Sequence, residues 1–234
     1  IFSLRQVLPG LGNDASFRLI KTFGRLKGRA LSKNQKLGLE ALQKKYSLYL
    51  EKSISLETKK EIWLEVGFGN GLHLVELAKR NSDKLIMGSE VYQNGVASAC
   101  YSLFQNKKDN VRVFHGDIRI LLNSFKHGAV DRLYVLFPDP WVKKRHKSRR
   151  LISSTTIEIF SKILKSKGAI CIATDVEDYQ SEIEEAFSNL HQFKKLNVSP
   201  KEKNLSFFLE VKTKYEKKAI NKGLAPSYLV YKKV

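Results

Sequence analysis

Residues 61–71 read EIWLEVGFGNG, a short apolar run that ends in three alternate glycines. The apolar run is typical of a strand, and Gly67, Gly69 and Gly71 allow the backbone to turn tightly where a Cβ would clash. The next residues, LHLVELAKR (72–80), have the apolar spacing of an amphipathic helix. The stretch therefore predicts a strand, a glycine turn and a helix, which together form the repeating unit of an α/β fold.

Strand and helix patterns continue to alternate along the rest of the chain. Further strands are predicted at 84–90, 111–117, 130–139 and 167–175, and helices at 94–108, 118–125, 151–167 and 178–190. FKKLNVS (193–199) and SYLVYKKV (227–234) predict a closing antiparallel pair of strands. Units of this length predict a mostly parallel central sheet with helices on both faces.

The first 60 residues have a different composition. Residues 1–30 hold four glycines among basic residues and predict an irregular arm. Residues 32–50 have apolar positions at helical spacing, with Ser32 as a candidate N-cap. We therefore divide the chain into a basic N-terminal arm and helix (1–60) and an α/β domain (61–234).

The positive charge of the chain is unevenly distributed. The formal net charge is +19, made up of +9 over residues 1–60, zero over 61–140, +8 over 141–167, −6 over 168–193 and +8 over 194–234. A neutral centre flanked by basic stretches is expected of a small-molecule site ringed by a nucleic-acid surface. The alternative is a lysine-rich protein whose charged faces are only solvated.

Several other classes of protein lack support in the sequence. Cys100 and Cys171 both lie in apolar stretches, which predicts buried thiols in a reducing compartment, and the five histidines have no metal-ligand spacing. No apolar run approaches the roughly 18 residues of a membrane span. The chain starts at Ile1 rather than Met, and its first residues do not resemble a secretory signal. These features predict a cytoplasmic protein with no metal and no membrane partner. We expect a monomer or a homodimer, and the sequence leaves both open.

The predicted strands end in acidic residues, where ligands of a parallel sheet bind. Glu65 precedes the first glycine; it would repel a pyrophosphate and attract an ammonium or sulfonium group. Glu90 can accept hydrogen bonds from ribose hydroxyls, and Asp117 can accept one from the amine of adenine. Each of these two acids alone is more often a helix N-cap or part of a solvated turn than a ligand contact. Together with a glycine spacing unlike G-x-G-x-x-G, they favour S-adenosylmethionine (SAM) over a dinucleotide.

Residues 137–146 read FPDPWVKKRH and join an acidic turn to a basic segment. Pro138 and Pro140 fix φ and lack N–H groups, so Asp139 is predicted to lie on a rigid turn. Trp141 either stacks on a base or packs under the turn. The cations that follow can bind phosphates beside a target nucleotide, and cations at a helix N-terminus would oppose its dipole.

Six stretches of the sequence resemble tRNA (guanine-N7)-methyltransferases over roughly residues 18–234: LEVGFGNG, GSEVYQNGV, HGDI, LFPDPWVKKRHKSRRL, ATDVEDY and TKYE. The resemblance implies a Rossmann-like class I SAM-dependent methyltransferase domain over 61–234. It implies methyl transfer to the guanosine at position forty-six, in the variable loop of tRNA. Ser89 and Asn94 depart from the aliphatic residue and the proline that we expect in this family, and Tyr215 stands where phenylalanine is common.

The resemblance also implies site residues. Cofactor contacts are expected at Glu65, Gly67, Gly69, Glu90, Asp117 and Asp139. Substrate contacts are expected at Lys143, Asp175, Thr213, Lys214, Tyr215 and Glu216. RNA contacts are expected at Arg145, His146, Lys147, Ser148, Arg149 and Arg150.

The chemistry of guanine N7 limits what the protein has to supply. N7 carries a lone pair and no proton, so its methylation needs alignment and charge stabilisation rather than a general base. Carboxylates that accept guanine N1–H and N2–H₂ would provide both, and Asp139, Asp175 and Glu216 are candidates, with Asp139 as the catalytic group. Asp175 is also a candidate helix cap, and Glu216 a candidate ion-pair partner.

A second RNA contact is predicted in the arm, at Arg18, Lys21, Arg25, Lys27, Arg29 and Lys33. Three other functions remain open at this point. They are an NAD-dependent oxidoreductase, which the glycine spacing disfavours; a non-catalytic RNA-binding protein, which the acidic strand ends disfavour; and a SAM-dependent enzyme that methylates another base of a nucleic acid.

Overall fold

The structure is a computed structural model that describes residues 22–48, 58–122, 124–197, 213–221 and 223–234. The strands are Ile62–Val66 (β1), Leu85–Glu90 (β2), Val111–His115 (β3), Val130–Leu136 (β4), Leu164–Thr174 (β5), Phe193–Leu196 (β6) and Ser227–Lys233 (β7). The helices are Lys33–Ala41 (α1), Leu72–Arg80 (α2), Gln93–Gln105 (α3), Ile118–Leu122 (α4), Ser154–Ile163 (α5), Glu177–Ser188 (α6) and Lys214–Ile220 (α7). A π-helical turn, Leu42–Tyr46, follows α1, and a 3₁₀ turn, Lys144–Arg149, precedes α5.

The seven strands form one sheet in the order β3-β2-β1-β4-β5-β7-β6. The pairs among β1 to β5 are parallel, and β7 runs antiparallel to both β5 and β6. The predicted α/β class, with its antiparallel C-terminal pair, is confirmed. The strand order reverses between β1 and β4, and in such sheets the ligand crevice lies beyond the strand ends at that point.

Both faces of the sheet are covered by helices. Alternate residues of β4 enter different cores: Leu133 and Val135 pack with α4, α5 and α6, whereas Tyr134 and Leu136 pack with α1, α2 and α3. This two-sided burial explains why the end of β4 reads as a continuous apolar run and why β1 is apolar apart from Glu65.

The first helix lies tightly against the sheet domain. Ser32 caps α1 as predicted, through a capping box with Gln35. A Cβ on Gly38 would come within 1.9 Å of the carbonyl oxygen of Ala97 in α3, so only glycine permits this helix contact. Residues 33–46 therefore pack on the α/β core, and the domain boundary at residue 60 stays a prediction.

Several predicted elements end at different residues in the structure, and two of these differences have a clear physical reason. The helix predicted at 151–167 stops at Ile163, because Leu164 pairs with Val130 and is fully buried in the sheet core. The helix predicted at 32–50 ends at Tyr46, and Ser47 bridges to Val113 of β3. Residues 49 and 50 lie outside the described part of the chain, and α7 was not predicted.

Cys100 and Cys171 are both free and buried, as the sequence predicts. Burial raises the pKa of each thiol to about 12. Within the described ranges, no three His, Cys, Asp or Glu side chains come together as a metal site requires. None of the helices found there is long and apolar enough to cross a membrane.

We expect Gly38→Ala to destabilise the fold although alanine favours helices, because the added methyl must push α1 away from α3. The expected loss is roughly 1–3 kcal/mol in the free energy of unfolding, the usual range for an overpacked contact. Urea denaturation measures it, with Asn34→Ala on the exposed side of α1 as the matched control. A free energy of unfolding equal to that of the control would contradict the close packing.

Candidate active site

The glycine turn after β1 has a backbone that only glycine adopts without strain. Gly67, Gly69 and Gly71 have φ angles of 70°, 58° and 80°. A Cβ on Gly71 would lie 2.4 Å from that of Ala99, whereas no atom lies within 4 Å of the Cβ position of Gly67. The turn is thus packed from below at Gly71 and open at Gly67, which suits the close approach of a ligand.

Glu90, at the end of β2, binds this turn directly. Its carboxylate accepts hydrogen bonds from the backbone N–H groups of Val91 (2.7 Å), Tyr92 (2.8 Å) and Gly69 (2.7 Å). Burial raises the pKa of Glu90, these three bonds lower it in part, and nearby Asp139 raises it further. Since a carboxylate can accept about four hydrogen bonds, Glu90 can accept one more, as a ribose hydroxyl would donate.

Asp117, after β3, is already bonded within the protein. It accepts hydrogen bonds from Arg119 Nη2 (2.6 Å) and Nε (2.9 Å), and from Thr22 Oγ1 (2.8 Å). Burial alone would raise the pKa of Asp117, but these bonds outweigh it and lower the pKa. The sequence patterns did not predict Arg119, although its position two residues after a candidate acid was a usable signal. The contact of Asp117 with adenine stays a prediction.

Glu65 lies beneath the glycine turn in a buried pair. Its Oε2 is 2.9 Å from Nδ1 of His73 in α2, and their side chains are 3% and 1% exposed. The ring of Tyr134 packs on His73 at 5.3 Å. This pair ties β1 to α2 below the turn, and the contact of Glu65 with a ligand ammonium group stays a prediction.

The turn that carries Asp139 is strained on both sides. Phe137 and Trp141 have φ angles of 54° and 41°, which bulky residues rarely adopt. Such strain is often found at functional sites, where the surrounding structure maintains it. The Asp139 side chain reaches solvent, yet the protein around it desolvates the carboxylate enough to raise its pKa. No hydrogen-bond donor for this carboxylate occurs among the described residues.

Residues 22–29 of the arm cross the carboxyl edge of the sheet. Thr22 binds Asp117, and the N–H of Gln93 donates to the carbonyl of Leu26 at 2.9 Å. A Cβ on Gly24 would lie 4.0 Å from Oδ2 of Asp139. This part of the arm therefore forms one wall of the candidate site.

The two residues that depart from the expected family pattern around β2 have structural partners. Asn94 accepts a hydrogen bond from the N–H of Gly28 (2.8 Å) and donates one to the carbonyl of Arg29 (2.9 Å), which holds the arm. Ser89 Oγ donates to the carbonyl of Gly116 at 3.0 Å and joins the ends of β2 and β3.

An aromatic and cationic cluster joins the arm to the basic segment. The guanidinium of Arg149 lies 4.9 Å from the ring centre of Phe23 and 5.0 Å from that of Trp141. Trp141 also meets His146 edge-on at 5.8 Å. Partial burial and the charges of Arg149 and Lys143 lower the pKa of His146. Trp141 thus packs between the arm and the basic segment, and its stacking on a base stays a prediction.

The basic segment divides into inward and outward side chains. Lys147 pairs with Asp178 (2.6 Å) and Glu182 (2.9 Å) of α6, and Arg150 is buried against the same two acids. The exposed members are Lys143, Lys144, Arg145 and Ser148. In the arm, the described cations Arg25, Lys27, Arg29 and Lys33 are exposed, and Arg18 and Lys21 lie outside the described residues.

The predicted substrate residues have two kinds of surroundings. Asp175 is half-buried at the end of β5 and does not cap α6, whose N-cap is Val176. Glu216 forms a capping box with Thr213 and accepts a hydrogen bond from the hydroxyl of Tyr228, so both of its oxygens are engaged. The side chains of Lys214 and Tyr215 lie outside what the structure describes.

Comparison with known proteins agrees with this geometry. The sequence profile of a family described as "Putative methyltransferase" matches residues 59–227. A tRNA (guanine-N(7)-)-methyltransferase of a Ruegeria species is 34% identical over 90% of this chain and 87% of its own length. The enzyme of that name from Paramagnetospirillum magneticum is 34% identical over 95% of this chain and 96% of its own.

The fold has solved counterparts. The crystal structure of the 16S rRNA methyltransferase KamB gives a TM-score of 0.53 at 12% identity, over 88% of this chain and 95% of that one. At that identity the likeness concerns the fold alone. The family assignment rests instead on the sequence relatives, which cover nearly the whole chain. The chain belongs to the tRNA (guanine-N7)-methyltransferase family.

Proposed function

We propose that this chain transfers a methyl group from SAM to N7 of the guanosine at position forty-six, in the variable loop of tRNA, and that it works in the cytoplasm. The observation that carries the proposal is the place of Asp139. This carboxylate lies on a strained turn between the glycine turn of the candidate cofactor site and the exposed cations Lys143, Lys144 and Arg145. The names of the relatives support the choice of tRNA and of N7.

The residues around the glycine turn fit SAM. When bound, SAM supplies an activated methyl group on a positively charged sulfonium. Glu90 and Asp139 both have raised pKa values, and Asp139 contributes to that of Glu90, so the site holds negative charge that a cation would stabilise. Gly67 leaves the approach to the turn open.

Asp139 and Asp175 are suited to bind the guanine base. They follow β4 and β5, which are paired up to Leu136 and Ala173, so both carboxylates lie at the same edge of the sheet. Neither takes a hydrogen bond from another described residue, so both can accept N–H groups of guanine. Since those protons become more acidic as N7 gains its methyl group, the same bonds would strengthen as positive charge reaches the base.

The outward cations give the tRNA backbone a place to bind. Lys143, Lys144 and Arg145 begin directly after the Asp139 turn and are exposed, so phosphates bound there would bring a nucleotide to the carboxylates. This arrangement favours an enzyme over a non-catalytic RNA-binding protein, because the cations and the acidic site are adjacent.

We expect the wild-type protein to form 7-methylguanosine when it is given labelled SAM and bulk tRNA. Asp139→Asn and Asp175→Asn should each slow this reaction roughly 10²–10³-fold, the usual effect of losing one transition-state contact. Asp139→Asn should unfold at the same or a higher temperature, because a raised folded-state pKa means that the ionised carboxylate is unfavourable for folding at neutral pH. Asp83→Asn, on an exposed loop, is the control. Label found only on adenine or cytosine would overturn the proposal.

We expect SAM binding to weaken as the pH falls, beginning above the pH of about 4 at which an exposed aspartate titrates. Burial raises the pKa of Glu90 and of Asp139, so each carboxylate takes up a proton at a higher pH and loses the charge that attracts the sulfonium. Calorimetric titration with SAM across the acid range measures this effect. A dissociation constant that stays constant until the protein unfolds would contradict it.

We expect tRNA affinity to fall steeply with salt, because phosphate contacts release counterions. Replacing Lys143, Lys144 or Arg145 by alanine should each reduce the slope of log K against log salt by about 0.7–0.9. Filter binding at several salt concentrations measures the slope, with exposed Lys79→Ala on α2 as the control. A slope unchanged in all three variants would place the RNA elsewhere.

A further inference from the structure

Arg150 differs from the other cations of its segment because it is buried. Its side chain is 2% exposed, although it follows directly after the exposed 3₁₀ turn. Nε donates a hydrogen bond to the carbonyl oxygen of Pro140 at 2.7 Å. Nη2 donates to Asp178 at 2.7 Å, and Nη1 forms an ion pair with Glu182. One guanidinium thus joins the Asp139 turn to α6.

The surroundings of Arg150 fix the plane of its guanidinium. The group lies over the ring of Tyr179, 4.6 Å from its centre. The hydroxyl of Tyr179 accepts a hydrogen bond from the N–H of Ile152 at 2.9 Å, which holds the ring in place. A planar fork with several donors can bind a carbonyl and two carboxylates at once, whereas a lysine ammonium cannot reproduce that geometry.

The turn needs an external anchor. Pro138 and Pro140 have no N–H groups to stabilise it, and Phe137 and Trp141 hold unfavourable φ angles. Pro140 is the direct neighbour of Asp139, so the bond from Arg150 acts one residue from the carboxylate that the proposed reaction uses.

We propose that Arg150 is a positioning residue for methyl transfer rather than a ligand of RNA phosphate. It acts through the Pro140 carbonyl and through Asp178 and Glu182, and it holds Asp139 where guanine binds. The inference rests on the proposed function. Phosphate binding would require Arg150 to leave two carboxylates, and those carboxylates would themselves repel the phosphate.

The first test is Arg150→Lys, which keeps the charge and removes the fork. We expect kcat to fall roughly ten- to hundredfold, as small misplacements of a reacting group do. The KM for tRNA and the salt slope of tRNA binding should not change. If Arg150 bound phosphate instead, Arg150→Lys should raise the KM for tRNA or lower the salt slope and change kcat little.

A spectroscopic readout follows the turn without using activity. The chain has two tryptophans, so a Trp63→Phe background leaves Trp141, which lies next to Pro140, as the sole tryptophan reporter. Arg150→Lys in that background should make Trp141 more accessible to acrylamide quenching. Arg145→Ala is the matched control: it removes an exposed cation of the same segment, and it should lower the salt slope while leaving the quenching unchanged.

The acidic partners provide a second test that does not depend on changing a buried residue. Asp178 is 53% exposed, so Asp178→Asn should fold. If Arg150 positions the turn, Asp178→Asn should lower kcat and raise Trp141 quenching in the same direction as Arg150→Lys. If Arg150 binds phosphate, removing this negative charge should instead tighten tRNA binding and leave kcat intact, and that result would overturn the inference.

Failure of the proposed function gives a different result. If the wild-type protein forms no 7-methylguanosine, that function is wrong, and the quenching and salt-slope measurements still decide the role of Arg150. If the wild-type protein is active and Arg150→Lys has normal kcat and normal quenching, only the role of Arg150 is wrong.

Discussion

The carboxylate of Glu90 is the constraint on which the site depends. It binds the backbone of Gly69 in the turn after β1 and the backbone of Val91 and Tyr92 after β2. One side chain therefore sets the distance between two loops that come from different strands. Burial raises the pKa of Glu90, so its ionised form is stable there only because several backbone N–H groups donate to it. A cation bound nearby would stabilise the same charge.

Close backbone contacts extend this order outwards from the glycine turn. A Cβ on Gly95 would lie 2.2 Å from the carbonyl oxygen of Gly69, and one on Gly38 of α1 would lie 1.9 Å from that of Ala97 in α3. The turn, α3 and α1 are therefore stacked layers in which glycine sets the spacing. The arm precedes α1 and is bound by Asn94 at the start of α3, so its position over the strand ends follows from the same packing.

Local patterns of the sequence predicted the sheet, its helices except α7 and the acidic strand ends, because each depends on residues that are close along the chain. They did not predict the side-chain contacts between distant segments. Lys147 and Arg150 looked like neighbours of Arg145, yet their acidic partners in α6 lie about thirty residues away. The sequence around Leu164 likewise predicts a helix, but Leu164 pairs with Val130 and lies in a strand instead.

Ion pairs between α6 and the basic segment explain why an acidic stretch follows a basic one in the sequence. Residues 168–193 carry the net charge of −6, and α6 within them directs Asp178 and Glu182 at the basic segment. Lys147 and Arg150 of that segment are thereby neutralised by ion pairs, so fewer of its cations are exposed than its composition suggests. The exposed cations Lys143, Lys144 and Arg145 are those nearest Asp139 along the chain, which concentrates the unpaired positive charge beside the turn. The acidic stretch thus pairs with Lys147 and Arg150 and leaves Lys143, Lys144 and Arg145 exposed beside the Asp139 turn.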